Sequence, residues 1–148
     1  MVRFLELETQ DVLLERQTKL LKVFHYWACD RGGTARGSQR FGGPTMTFND
    51  FLPMMQECRL LDSRLDVRRL CKAYGLATCN DDILPQMHPN NADSEMTFDE
   101  FLECLSRCAE YQSPPDRFGE RLPLADILRN WLDKRFFFEI SKIFPQRL

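Results

Sequence analysis

The chain has 148 residues, 43% of them hydrophobic, enough for one ordinary domain or for two small units sharing a core. Its 20 basic and 22 acidic residues give a net charge of −2, so bulk electrostatics offers no reason to expect nucleic acid as a partner. No apolar run approaches the ~20 residues that cross a bilayer. The acidic N-terminal stretch lacks an apolar h-region with a small-residue cleavage site, so neither a membrane partner nor a signal peptide is expected.

The first predicted element runs from about Gln10 to Cys29. Thr9 is its expected N-cap, and Asp11 suits the positive end of the helix dipole. Leu13, Leu20, Val23, Phe24 and Trp27 supply the apolar face, the last four at i, i+3, i+4, i+7. The helix should stop in CDRGGTARGSQRFGGP, where five glycines in sixteen residues argue for a long loop. A second helix follows MTF and reaches about Leu60. Thr47 with Asp50 makes a T-x-x-D start, but Pro53 then falls past the first turn, where it removes a hydrogen bond. A start at Asn49 or Asp50 would put Pro53 where proline is tolerated, and the sequence leaves both starts open.

The third helix is expected from about Arg64 to Tyr74, opened by Ser63 with Asp66 and closed by Gly75. Val67, Leu70, Cys71 and Tyr74 give its apolar spacing. LATCNDDILPQMHPNNADSE follows as a second long connection. The fourth helix spans about Phe98 to Tyr111 behind a full capping box of Thr97 and Glu100, with Phe101, Leu102, Leu105, Cys108 and Ala109 on its apolar face. QSPPDRFGERLP reads as a linker. Pro123 then opens a fifth helix in which Leu124, Ile127, Leu128 and Trp131 keep helical spacing. KRFFFEISKIF extends it with further large apolar side chains, including three consecutive Phe. The six cysteines stand at 29, 58, 71, 79, 104 and 108 with no C-x-x-C pair, so a zinc ribbon is unsupported. A cytosolic location would keep them reduced, and Cys71, Cys104 and Cys108 take apolar helical positions, where a thiol acts as a small hydrophobe.

MTFNDFL, residues 46–52, returns as MTFDEFL, residues 96–102. The apolar spacing ahead of it repeats as well: Leu20, Val23, Phe24 and Trp27 align with Val67, Leu70, Cys71 and Tyr74 at an offset of 47. The chain therefore writes helix, loop, short extended snippet and helix twice. Neither helix pair can bury its apolar face alone, so the two should fold as one, with the extended snippets paired as a ribbon.

EMTFDEFLECL resembles the second half of an EF-hand. Met96, Glu100 and Phe101 match the residue that pairs with the sister loop, the closing acidic ligand and the aromatic after it. Met46, Asp50 and Phe51 match them in the first copy. The resemblance covers about residues 12 to 111 and implies an all-α fold of two paired EF-hand-like helix–loop–helix units with expanded loops. Residues 1–111 would form this pair, 112–122 a linker and 123–148 a C-terminal Phe-rich helix. Calcium ligation does not follow from it. A loop of about twelve residues ending at Glu100 starts at Pro89, which has no side-chain oxygen, and carries Ser94 where the turn glycine belongs. Asn91, Asp93 and Glu100 remain as the ligands a calcium-responsive protein would use. The first loop has no carboxylate at its first, third or fifth position. Thr97 and Glu100 read better as a capping box, and no metal or other cofactor is expected.

Among EF-hand relatives the chain is most similar to the tubulin polymerisation-promoting protein family. ECRLLDSRLDVRRL, residues 57–70, resembles the turn between that family's second and third helices, and MTFDEFLECLSRCA its closing helix. The resemblance implies a helical cytoskeletal module that associates with microtubules.

No catalytic pattern accompanies these features. There is no nucleophile elbow, H-E-x-x-H or P-loop, and the histidines are His25, beside a helix stripe, and His88, in a proline-rich loop. An enzyme is not expected. Phe136, Phe137 and Phe138 cannot all face one core, because successive helical positions point about 100° apart. Trp131, Phe136, Phe137 and Phe138 are therefore the expected partner-binding residues. The expected function is a non-catalytic structural or interaction protein of the microtubule cytoskeleton. Its place would be cytoplasmic, extending to the axoneme of a cilium or flagellum, with tubulin, microtubules or other axonemal proteins as partners. The alternative is a calcium-responsive EF-hand regulatory protein acting through the second loop.

Overall fold

The computed structural model describes residues 7–30, 45–78, 95–113 and 122–143. The predicted loops lie mostly outside these residues, as do His88, Pro89, Asn91, Asp93 and Ser94. The described part is all-α apart from one two-stranded ribbon.

α1 (Leu7–Glu15) and α2 (Gln17–His25) follow one another with a single break at Arg16, whose φ of −111° and ψ of 9° leave the helical region. A π-helical turn, Tyr26–Asp30, ends this arm. Helical structure already includes Leu7 and Glu8, so Thr9 is not the N-cap. It sits inside α1 with its Oγ1 buried and without a hydrogen-bond partner among the described residues.

β1 (Met46–Thr47) leads directly into α3 (Phe48–Glu57), and β2 (Glu95–Met96) precedes α5 (Phe98–Tyr111). The two strands pair antiparallel, with Met46 opposite Met96 and Thr47 opposite Glu95. Beside the ribbon the buried Thr45 hydroxyl donates to the Glu95 carboxylate. The Tyr74 hydroxyl donates to the Met46 carbonyl at 3.2 Å. Burial, with Cys104 and the acids around it, pushes the Tyr74 hydroxyl well above the ordinary tyrosine range, which keeps it a donor.

Both helices after the ribbon begin with the same device. The Asp50 N–H donates to Thr47 Oγ1 and the Thr47 N–H to Asp50 Oδ2, at 3.2 and 3.0 Å. Thr97 and Glu100 repeat it at 3.3 and 2.8 Å. Thr47 is thus the cap of α3, and Pro53 lies within the helix. The end of α3 is also defined. Arg59 N–H bonds to the Gln56 carbonyl and Leu60 N–H to the Met55 carbonyl, the paired bonds of a Schellman motif. Arg59 takes the left-handed position usually given to glycine, with φ of 55°.

α4 (Val67–Thr78) starts later and runs further than the sequence suggested. Asp62 Oδ1 accepts from the N–H groups of Arg64 and Leu65, both at 2.9 Å, and shapes a separate turn. Asp66, not Ser63, then caps the helix by accepting from Arg69 N–H at 2.9 Å. Gly75 is buried within α4, because Leu76, Ala77 and Thr78 continue the helix beyond it.

Aromatic side chains show why the seven-residue phrase is written twice. Phe48 and Phe51 of α3 meet Tyr74 of the other unit, with ring centroids 5.3 and 6.2 Å apart. Phe98 and Phe101 of α5 meet Phe24 of the first unit at 5.5 and 5.2 Å. Phe51 and Phe101 touch across the centre at 6.3 Å. Each copy therefore supplies aromatic rings to its sister's first helix, and neither half has a complete core alone. Cys104 and Cys108 are buried in this core as free thiols, and Cys71 is half-buried. Burial, with a hydrogen bond to Cys108, pushes the Cys104 thiol well up, so it is held as the unreactive protonated form.

Candidate interaction surface

α6 (Leu124–Trp131) begins after Pro123 and lies against α1 and α5. Its apolar side, Leu124, Ile127, Leu128 and Trp131, is buried. A regular α-helix continued from Trp131 would bring Phe138, seven residues on, back to the same side, since each residue advances about 100°. The chain does otherwise. Residues Leu132–Phe136 form a π-helical turn in which Phe137 N–H bonds to the Leu132 carbonyl, five residues earlier. The extra residue sets every later side chain back by about 100°. Phe136 consequently lies behind Trp131, with ring centroids 5.4 Å and planes 26° apart. Phe137 follows it against the core at 5.4 Å, and the Lys19 ammonium stands 5.5 Å from the Phe137 ring centre. α7 (Phe137–Ser141) completes the helix.

Of the four residues expected at a partner interface, Trp131, Phe136 and Phe137 are therefore core residues. They form part of the body of the fold and are not available as a surface. Phe138 alone projects outward, 56% exposed, with the Lys142 ammonium 4.4 Å from its ring centre. Ile143, just past the end of α7, is also exposed. The π turn has no compositional signature, which is why spacing alone could not say which Phe would be left outside.

Two polar junctions fix this helix on the body, and neither was visible in the sequence. At the first, Gln112, inside the predicted linker, bonds in three directions. Its Oε1 accepts from Trp131 Nε1 at 2.6 Å and from Arg135 Nε at 3.0 Å, and its Nε2 donates to the Leu60 carbonyl at 2.6 Å. Arg135 also reaches the carbonyls of Arg59 and Leu60, both at 3.4 Å, and lies 4.0 Å from Asp62. Burial pulls the Asp62 carboxyl upward, but the N–H groups of Leu65 and Arg64, with Gln112 and Arg135, outweigh it and hold the group below the ordinary carboxylate range. At the second junction Arg16 meets Asp133 in a two-pronged ion pair, Nε to Oδ1 at 2.8 Å and a terminal nitrogen to Oδ2 at 2.7 Å. The Arg16 hydrogen bond lowers the Asp133 carboxyl, and the same bond raises the Arg16 guanidinium. The break between α1 and α2 falls at Arg16, the residue that makes this contact.

Asp50 and Glu100, the acids matched to the closing EF-hand position in the sequence, cap their own helices. One oxygen each of Asp50 and Glu100 bonds to the N-cap N–H of its own helix. Among the described residues no group of three or more His, Cys, Asp or Glu is placed to hold a metal ion, and His25 is exposed. No described helix is long and apolar enough to cross a membrane. Neither a family model, a curated protein nor a solved structure matches the chain.

Proposed function

We propose that the chain is a non-catalytic structural or interaction protein of the microtubule cytoskeleton, acting in the cytoplasm and in the axoneme of a cilium or flagellum. The observation that carries this reading is the use of the two closing carboxylates. Asp50 and Glu100 are bonded into the starts of α3 and α5, so the paired units serve as a packing scaffold. That supports the resemblance to the degenerate hands of the tubulin polymerisation-promoting protein family. The exposed Phe138 gives an apolar contact on a helix held at two junctions. Exposed Arg59, Arg64, Arg68 and Lys72, interspersed with Asp62 and Asp66, suit an acidic partner such as tubulin.

Co-sedimentation with polymerised tubulin tests the proposal. The wild type should pellet with microtubules, and Phe138→Ala should weaken the association about tenfold, the effect of removing one anchoring aromatic. Wild-type protein that stays in the supernatant at every tubulin concentration overturns it. Calorimetric calcium binding tighter than about 10⁻⁵ M would instead favour a calcium-responsive regulator.

A further inference from the structure

The outer side of the N-terminal arm carries leucines that no other described residue covers. Leu7, Leu14 and Leu21 are 72%, 63% and 37% exposed. They are spaced seven apart, close to two helical turns each; Leu7 and Leu14 share the solvent side of α1, and Leu21 returns to the solvent side of α2 beyond the break at Arg16. The opposite side, Val12, Leu13, Leu20, Val23 and Phe24, is the one buried in the core. Among the described residues these three exposed leucines, two on α1 and one on α2, form an apolar stripe that no other element covers.

The charges of the arm are sorted by sign. α1 carries Glu8, Asp11 and Glu15 and no base; α2 carries Lys19, Lys22 and His25 and no acid. All six are exposed. Such an arm is complementary to itself when reversed. A parallel pairing would set acid against acid and base against base along its whole length. An antiparallel pairing centred on Leu14 brings Leu7 against Leu21 of the other copy. It also brings Glu8 of each copy toward Lys22 of the other, twice over by symmetry.

We infer that this face is an isologous antiparallel interface between two copies of the chain, seated on the Leu7–Leu14–Leu21 stripe and oriented by the opposed charges of α1 and α2. Phe138 is not among its residues, so each copy in the dimer still carries that ring.

Sedimentation equilibrium across a concentration series is the first test. The wild type should pass from monomer to dimer with rising concentration, and Leu14→Glu should weaken the dimer at least about tenfold by placing two acids against each other on the axis. Leu14 is exposed, so the variant should keep the wild-type circular dichroism spectrum. Oxidative cross-linking tests the direction, with wild type as the background for the native thiols. Leu14→Cys should link to itself. Leu7→Cys and Leu21→Cys should link when mixed, and neither should link alone. A wild type that is monomeric throughout, a folded Leu14→Glu variant that dimerises as well as wild type, or Leu7→Cys linking to itself each overturns the inference.

Discussion

Three consecutive phenylalanines in one helix divide into two buried and one exposed, and their positions determine what each substitution does. Phe136 is fully buried and stacks on Trp131, whose indole N–H is held by Gln112. Phe136→Ala should cost about 3–5 kcal/mol, because it removes a large buried side chain and leaves a cavity. Phe138→Ala should change stability by less than about 0.5 kcal/mol, because the ring is largely in water. Urea denaturation of the two variants checks both values, and similar losses would mean that the π turn does not exist in solution. At this scale the sequence showed that the three rings could not share one core. It could not show which would be excluded, because the answer depends on a single five-residue hydrogen bond from Phe137 to Leu132. Gln112 was illegible for a related reason: its partners at Leu60, Trp131 and Arg135 lie far away along the chain.

Helices were most legible where their ends are set by neighbouring residues. α5 runs from Phe98 to Tyr111 as the Thr97–Glu100 capping box implied, since that box is completed within four residues. The third helix was misjudged at both ends. Asp62 and Asp66 each form an N-terminal turn, and only the second opens a helix; Gly75 tolerates the helix interior once its surroundings bury it. α3 gives the sharpest prediction for an element. Arg59 holds the left-handed residue of its closing motif, a conformation that costs a residue with a Cβ roughly 1 kcal/mol. Arg59→Gly should therefore raise stability by about 0.5–1 kcal/mol, the gain being partly offset by the greater freedom of an unfolded glycine. The backbone carbonyl that Arg135 contacts is kept. A shift in the thermal midpoint measures this, and a lower midpoint would show that the Arg59 side chain contributes more than its conformation costs.

The whole molecule is held together by apolar packing in its paired units, and its last helix docks by further apolar packing with two polar junctions. Asp62 and Asp133 both have carboxyls below their ordinary range, through contacts to the turn after α3 and to Arg16. A depressed carboxyl adds stability above its unfolded pKa, about 3.9, and that contribution disappears as pH falls through the folded value. Stability should therefore be nearly flat from pH 7 to 5 as far as these groups contribute, and fall below about pH 4. Urea midpoints for wild type and for Asp62→Asn with Asp133→Asn test this, and the double variant should show the shallower acid decline. Equal declines would remove these two groups as the cause. The repeated phrase made the body readable, down to Met46 facing Met96, because two copies of one pattern must satisfy each other. The docking of the terminal helix was hidden, because Arg16 and Asp133 are 117 positions apart. That separation also governs how the protein is made. Chains leave the ribosome N-terminus first, so both helix pairs emerge before α6. Until α6 follows, the surfaces of α1 and α5 that it covers have no occupant, and the indole partner of Gln112 has yet to be translated. A nascent chain paused at that stage carries bare apolar surface, the kind of intermediate on which chaperones act.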